Sequence, residues 1–314
     1  MRLVVFGQAP FGRDVLEGLI AAGHEIAVVF APADAGGRVD PLAEAAREAG
    51  LRLETPAHYK GADVLEAVES ADADLGVLAF VTKIIPQAVI DAPREGTICY
   101  HPSLLPKYRG GSALAWQLIG GETRGGYTIF WTDAGVDSGP VLLQREIAIG
   151  PEESAGSYYF SKLFEPSVAA MVEAVGMVAQ GTAPRIEQDH AEATHDPLCT
   201  DEHAEIDWKR SARQVHDLVR GCDPQPGART LWSGQRLRLY GSSWSAGTGE
   251  LPAPGTVVAL GEDHMDVVAG LGAEAGVLSF GKARGAAGKG SAAAVARELG
   301  VAVGNTLGGT AAAG

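Results

Sequence analysis

The sequence predicts an α/β protein: a doubly wound, mostly parallel sheet followed by a smaller β-rich domain. Three observations carry the prediction. Short apolar runs alternate with helical spacings through residues 1–181. Beyond residue 210 the pattern changes to short strands separated by turn residues. The length of 314 residues exceeds one ordinary domain and suits two.

Residues 3–6 form an apolar run ended by Gly7, as a buried strand requires. Phe11, Val15, Leu16, Leu19 and Ile20 then share one helical face that Gly23 closes. Strands are expected at 25–30, 51–54, 75–80 and 97–100, with helices at 41–49 and 62–70. Such alternation builds parallel βαβ units. Ligands of these sheets sit beyond the carboxyl ends of the strands. His101 directly follows the 97–100 run, which places it in that crevice.

A helix is expected at 113–119, two strands at 127–131 and 141–149 around a loop with Asp137, and a long helix at 157–179 before Gly181. Residues 182–209 are rich in Pro, Asp, Glu and His without periodicity and read as a linker. After a helix at 212–220, strands at 236–240, 255–259, 265–269 and 277–280 suggest a small barrel or sandwich. Residues 308–314 read as a frayed tail. The expected organisation is a catalytic domain at 1–181, a linker at 182–209 and a C-terminal β domain at 210–314. No internal repeat is present.

Hydrophobic residues make up 46% and charged residues 20%, enough for a packed core. The formal net charge of −14 argues against nonspecific binding to nucleic acid or anionic membranes. Cys99, Cys199 and Cys222 are odd in number, far apart and without metal spacing, which reads as reduced thiols in the cytoplasm. The chain opens directly into a strand pattern, so no secretory leader is expected, and no apolar run reaches the roughly 18 residues of a membrane span.

Two Gly/Pro-rich loops carry the chemistry. One holds His101-Pro102-Ser103-Leu104-Leu105-Pro106 and then Arg109-Gly110-Gly111; the other holds Gly135-Val136-Asp137-Ser138-Gly139. An imidazole titrates near neutrality and can shuttle a proton or donate to an oxyanion. A carboxylate can orient it and take a proton from an attacking amine or water. Taken singly, a His after a strand is usually a satisfied structural residue and an Asp before Ser-Gly a turn residue; both readings stay open here. Cys99 is either a nucleophile or a small buried strand residue.

Together these strings resemble the folate-dependent formyltransferases, which carry a His-x-Ser-Leu-Leu-Pro loop and a later Asp-Ser/Thr-Gly loop. The resemblance runs from residue 1 to about 310. It is closest to the hydrolase-type N-terminal domain of 10-formyltetrahydrofolate dehydrogenase, through Phe6-Gly7-Gln8, the His101 loop, residues 125–131, and Asp137-Ser138-Gly139 with Leu142-Leu143-Gln144. It is more distant to methionyl-tRNA formyltransferase and to sugar and amino-acid N-formyltransferases. The resemblance implies a Rossmann-like catalytic domain with 10-formyltetrahydrofolate as cofactor and His101 and Asp137 as catalytic residues. It implies a pterin pocket at Phe80, Val81, Thr82, Ile84 and Pro86, with Asp133 also cofactor-binding. Residues 224–228 resemble a turn entering an OB-type barrel.

Two departures matter. Most of the transferases have Asn-x-His where this chain has Cys99-Tyr100-His101, and a thiol is a weak donor. That raises hydrolysis, and the hydrolase-type domain also lacks the Asn. The tRNA enzymes carry a long basic insertion where residues 32–38 here are short with one positive charge, which argues against a tRNA partner. Lys282, Arg284 and Lys289 could touch RNA, but a solvated loop is the commoner reading.

Gly7 to Gly12 does not spell a dinucleotide fingerprint, and Gly288-Lys289-Gly290-Ser291 misses the P-loop pattern. His190, His195 and His203 lack metal spacing, so no metal is expected. No aldehyde-dehydrogenase segment follows, so NADP-dependent oxidation is not expected. The expected function is formyl transfer from 10-formyltetrahydrofolate to an amine of a small-molecule or carrier-bound acceptor. The alternative is hydrolysis to formate by the same residues. A tRNA acceptor or a non-catalytic folate sensor ranks below both. The sequence names neither the acceptor nor an oligomeric state.

Overall fold

The computed structural model describes residues 1–34 and 36–308. The tail expected at 308–314 therefore lies, beyond Gly308, outside the described residues. Two compact units divide the chain. The first comprises Met1–Gly110, Gly126–Ile147 and Phe160–His195; the second comprises Gly111–Gly125, Ala148–Tyr159 and the chain from Asp196 onward. Among the described residues no helix is long and apolar enough to cross a membrane.

The first unit is the doubly wound sheet. Its strands are β1 (Arg2–Gly7), β2 (Glu25–Phe30), β3 (Leu53–Glu54), β4 (Leu75–Ala79), β5 (Thr97–His101), β7 (Arg124–Trp131) and β8 (Val141–Ala148), in the order β3-β2-β1-β4-β5-β7-β8. The pairs among β1 to β5 are parallel, and β7 runs antiparallel to β5. A two-residue strand β6 (Arg109–Gly110) pairs with β9 (His195–Asp196). Helices α1 (Ala9–Ala21), α2 (Pro41–Glu48), α3 (Ala62–Ser70), α4 (Gln87–Asp91) and α7 (Phe164–Ala179) belong to this unit. Strands covered on both faces must be apolar throughout, which is why β1 and β4 read as unbroken runs. Phe6 stacks on Phe30 with ring centroids 4.5 Å apart, and Tyr59 meets both edge-on. On α1, Phe11, Val15, Leu16 and Leu19 are buried, whereas Ile20 lies outside that face.

The strand order places the switch in winding between β1 and β4, where doubly wound sheets open a ligand crevice. Gly7 ends β1 there because a Cβ would meet the Ala79 carbonyl oxygen at 2.5 Å. Asp40 caps α2 through the Leu42 N–H and also accepts from the Ala9 N–H, tying two chain turns beside that crevice.

The helix expected at 157–179 is interrupted. A short α6 (Ala155–Tyr158) passes through a π-helical turn at Tyr159–Leu163 into α7. Pro166 follows shortly after that turn, where its missing N–H takes one donor out of the helical ladder.

The second unit contains α5 (Ala113–Ile119), α6, α8 (Ala212–Gly221) and α9 (Ala292–Glu298). Its antiparallel sheet has strands β10 (Ala228–Trp232), β11 (Gln235–Ala246), β12 (Val257–Leu260), β13 (Met265–Ala269) and β14 (Gly276–Gly285), in the order β10-β11-β14-β13-β12, and β15 (Gly288–Ser291) also pairs with β14. Val215, Leu218 and Val219 of α8 pack with Leu237, Leu239, Leu278 and Phe280 of the sheet in one core. A Ser211/Gln214 capping box starts α8.

Arg229, Arg238, Arg284 and Lys289 stand opposite one another in register across β10, β11, β14 and β15. Residues paired this way share one face. Arg229 meets Glu205 and Arg238 meets Asp201, both at 2.8 Å, and the Lys289 ammonium lies 3.7 Å from the centre of the Tyr240 ring.

The segment 182–209, expected to be a linker, is shared between the two units. Residues up to His195 belong to the first unit, where Ile186 bridges to Val141, and the rest belongs to the second. Periodicity is absent because these residues are held by side-chain and single backbone bonds rather than by a ladder.

Candidate active site

His101 is the last residue of β5 and is 5% exposed. Its register partner on β7 is Thr128, whose hydroxyl donates to the Ser103 carbonyl at 2.7 Å and accepts from the Leu105 N–H at 3.2 Å. Gln144 of β8 donates to the same hydroxyl and to the Leu105 carbonyl, each at 2.9 Å. The Ser103 hydroxyl donates to the Lys107 carbonyl, and the Leu105–Pro106 peptide is cis. The Pro-rich loop after β5 is thus pinned from β7 and β8, and it returns the Tyr108 carbonyl to His101.

That carbonyl lies 2.7 Å from His101 Nε2. A carbonyl can only accept, so Nε2 carries a hydrogen and donates it. Nδ1 then faces Asp137 Oδ2 at 3.5 Å. Asp137 Oδ2 also accepts from the Gly110 N–H at 2.8 Å. Asp137 has φ +51°, a left-handed conformation that Asp adopts more readily than most residues. Gly139 follows closely because a Cβ there would meet the Trp131 carbonyl oxygen at 1.9 Å.

Asp133, expected to bind cofactor, accepts from the Gly135 N–H and the Ser138 hydroxyl through Oδ1. In this arrangement it shapes the Asp137 loop.

Sequence reasoning missed the clamp on that loop. The Gln188 amide donates to the Asp137 carbonyl at 2.9 Å and to the Gly139 carbonyl at 2.7 Å. Its oxygen accepts from Arg109 Nε at 3.2 Å and Nη2 at 2.7 Å. Arg109 and Gln188 are both buried, and Arg109 Nη2 lies 3.1 Å from His190 Nδ1. Thr194 closes the set: its hydroxyl accepts from the Tyr108 N–H and its carbonyl from the Arg109 N–H. The segment read as a linker therefore holds both the His101 loop and the Asp137 loop. Its only sequence signal was an isolated Gln after Ile186, which no pattern distinguishes from a surface residue.

Cys99 lies in the middle of β5, with Sγ 3.5 Å from the Tyr100 carbonyl. Burial, and then the nearby Asp137 carboxylate, push its thiol well above the usual thiol range. A nucleophile needs the thiolate. That direction favours the strand-residue reading of Cys99 over the nucleophile reading.

The loop after β4 lies at the winding switch. Phe80 has φ +63° and is 43% exposed, Ile84 is 83% exposed, Val81 is half-buried against the core under β4, and Pro86 caps α4. The Thr82 hydroxyl donates to Gln8 Oε1 across the β1–β4 crevice at 3.4 Å. Exposed apolar side chains beside polar groups and backbone at a strand end suit a flat heterocycle. Among the described residues no cluster of His, Cys, Asp or Glu could hold a metal ion.

A family model described as "Formyl transferase" matches residues 1–175, and one described as "Formyl transferase, C-terminal domain" matches residues 199–293. The chain belongs to the formyl transferase family. Among curated relatives, the cytosolic 10-formyltetrahydrofolate dehydrogenase of Xenopus tropicalis is 42% identical over 249 residues, which is 78% of this chain and 28% of that protein. The chain thus spans well under half the length of that relative. The methionyl-tRNA formyltransferase of Acetivibrio thermocellus is 35% identical over 278 residues, covering 87% of this chain and 89% of that one. Among solved structures, HypX from Aquifex aeolicus in complex with tetrahydrofolic acid aligns with a TM-score of 0.66 at 23% identity over 96% of this chain and 48% of that one. An N-formyltransferase from Helicobacter canadensis, in complex with folinic acid and dTDP-3-aminofucose, aligns at 0.67 and 14% identity over 88% and 98%. At these identities the structures bear on the fold.

In this formyl transferase the N-terminal match includes His101, Asp137 and the loop after β4. Gln188, His190 and Thr194 fall between the two matched segments. The clamp therefore joins Arg109, inside the N-terminal match, to residues outside both matches.

Proposed function

We propose that the chain transfers a formyl group from 10-formyltetrahydrofolate to an amine on a small-molecule or carrier-bound acceptor. The observation that carries this reading is the His101–Asp137 pair, 3.5 Å apart at the carboxyl end of β5 and held by Tyr108 and Gly110. Family membership narrows the acyl group to formyl. Phe80, Val81, Thr82, Ile84 and Pro86, with Gln8 across the crevice, would hold the folate. Bound there, the folate supplies an electrophilic formyl carbon and an amine leaving group.

The chain's own residues manage the protons. Nε2 of His101 is committed to the Tyr108 carbonyl, so proton exchange falls to Nδ1 and Asp137 Oδ2. Nδ1 faces the Asp137 carboxylate at 3.5 Å, so a proton taken up by either group can be held between the two. The pair therefore takes the nucleophile's proton and returns it to the leaving nitrogen. The Gly110 N–H keeps Oδ2 in place. The thiol of Cys99 stays protonated and takes no step.

Hydrolysis, with water as acceptor, is the second reading. It is favoured by Cys99, which stands where the resemblance places an amide donor, and by the likeness to 10-formyltetrahydrofolate dehydrogenase. A tRNA acceptor is not chosen because residues 32–38 carry one positive charge in a chain of net charge −14. Three free thiols support a reducing, cytoplasmic setting.

The test is tetrahydrofolate release from 10-formyltetrahydrofolate, with formate measured in parallel. Release only on addition of an amine pool supports transfer. Stoichiometric formate without an added amine supports hydrolysis. Folate binding with no release under either condition overturns both.

A further inference from the structure

Cys199 and Cys222 are 23 residues apart in sequence, yet their sulfurs lie 3.9 Å apart. Cys199 is half-buried, and its N–H donates to the Ser112 hydroxyl at 3.1 Å. Cys222 is fully buried at the end of α8; its N–H donates to the Leu218 carbonyl and its own carbonyl accepts from the Gly227 N–H at 2.8 Å. Both backbones are held in place while the side chains face each other. Both sulfurs belong to the second unit, away from any role given to His101 or Asp137.

We propose that Cys199 and Cys222 are a dithiol modification site that closes to a disulfide by exchange with a low-molecular-weight disulfide, Cys199 attacking and Cys222 resolving. Isolated buried thiols behave as small hydrophobes. This pair differs because its members are unequal in access and in charge. The bond from Cys222 holds the Cys199 thiol below the usual thiol range. The same contact and burial push Cys222 up. Exchange favours an accessible attacking thiol with appreciable thiolate character.

The chemistry balances in two steps. The Cys199 thiolate attacks one sulfur of the small disulfide, breaking its S–S bond, forming a mixed disulfide and releasing one small thiolate. Cys222 loses its proton to that thiolate or to solvent and attacks the Cys199 sulfur. The mixed disulfide breaks, the protein disulfide forms and a second small thiol leaves. Two protein thiols are oxidised and one small disulfide is reduced to two thiols. A disulfide needs sulfurs about 2.0 Å apart, so side-chain rotation must bring them together by roughly 2 Å. Cys99 is the internal control, because its thiol is held protonated beside Asp137.

The experiment treats the reduced full chain, under native conditions, with excess glutathione disulfide. Remaining thiols are then alkylated in denaturant and the intact mass is read. The expected result is loss of two of the three thiols, a mass lower by two hydrogens before alkylation, and no retained glutathione. Cys222→Ser should trap one glutathione on Cys199, and Cys199→Ser should take up none. Three thiols remaining, a stable glutathione adduct on the unmutated chain, or a disulfide between two chains would each overturn the proposal. The unmutated chain alone decides the matter if a variant fails to fold.

Discussion

His101 donates through Nε2 to the carbonyl oxygen of Tyr108 at 2.7 Å, and that bond decides what the other ring nitrogen can do. With Nε2 fixed as a donor, Nδ1 faces Asp137 Oδ2 at 3.5 Å. The two side chains are therefore placed to pass a proton between them.

Asp137→Asn replaces an acceptor oxygen with a group that cannot take a proton. Turnover should fall on the order of 10²–10⁴-fold, the usual contribution of a positioned acid or base, while folate binding persists. Single-turnover release of tetrahydrofolate together with a folate-binding titration separates the two effects. Turnover like that of the unmutated enzyme would remove Asp137 from the chemistry.

Gln188 is the hinge between Arg109 and the Asp137 loop. Gln188→Ala removes two donors to loop carbonyls and leaves a buried guanidinium short of its acceptor, a change of about 1–3 kcal/mol for each group left unsatisfied. Gln188→Glu keeps a partner for Arg109 but sets a carboxylate against two carbonyl oxygens. Both variants should lose activity, and the alanine variant should also melt earlier in calorimetry. A Gln188→Glu enzyme of normal activity would mean that the clamp on the loop is dispensable.

Cys99→Ala should retain turnover within a few-fold, because the thiol it removes is held protonated by burial and by Asp137. Iodoacetamide at neutral pH should leave Cys99 of the native enzyme unmodified. Rapid alkylation with loss of activity would contradict this.

Arg238 holds the Asp201 carboxyl below the usual carboxylate range through a two-point contact, Nη1 to Oδ1 at 2.8 Å and Nη2 to Oδ2 at 2.9 Å. A group whose folded pKa is depressed stabilises the fold above its unfolded pKa of about 3.9 and loses that stabilisation as pH falls through the folded value. Denaturant midpoints should therefore drop below pH 4. In Asp201→Asn the drop should be shallower and stability at pH 7 lower. Identical pH profiles would show that the contact contributes nothing.

Arg284 stands between Arg238 and Lys289 in the cross-strand row, with no carboxylate in ion-pair reach among the described residues. Like charges facing each other across strands are unfavourable by roughly 0.2–1 kcal/mol. Arg284→Thr should raise the melting temperature at low ionic strength, and the difference should shrink in about 1 M salt, where the Debye length is roughly 3 Å. A lower melting temperature at every salt concentration would contradict this.

The doubly wound sheet was legible because strands buried on both faces must be apolar, and Leu3 to Phe6 and Leu75 to Ala79 leave no other reading. His101 and Asp137 were legible because each stands in a Gly/Pro-rich loop beside a strand. Gln188, Arg109 and Thr194 were not, because their roles exist only once three distant segments meet. Ile20 keeps helical spacing but falls just off the buried face. Helix α9 was hidden because Ala292, Ala293 and Ala296 bury small side chains that raise no apolar signal. The five-residue α4 is too short for its periodicity to register.

The chain passes back and forth between its two units before settling in the second after His195. No single cut separates them. A fragment ending at residue 181 would retain His101 and Asp137 yet lack Gln188 and Thr194, and would carry α5 and α6 as orphaned pieces of the other unit. A crossover between residues 139 and 188 would join the Asp137 loop to a foreign brace. Exchange of either unit as a whole therefore needs more than one junction.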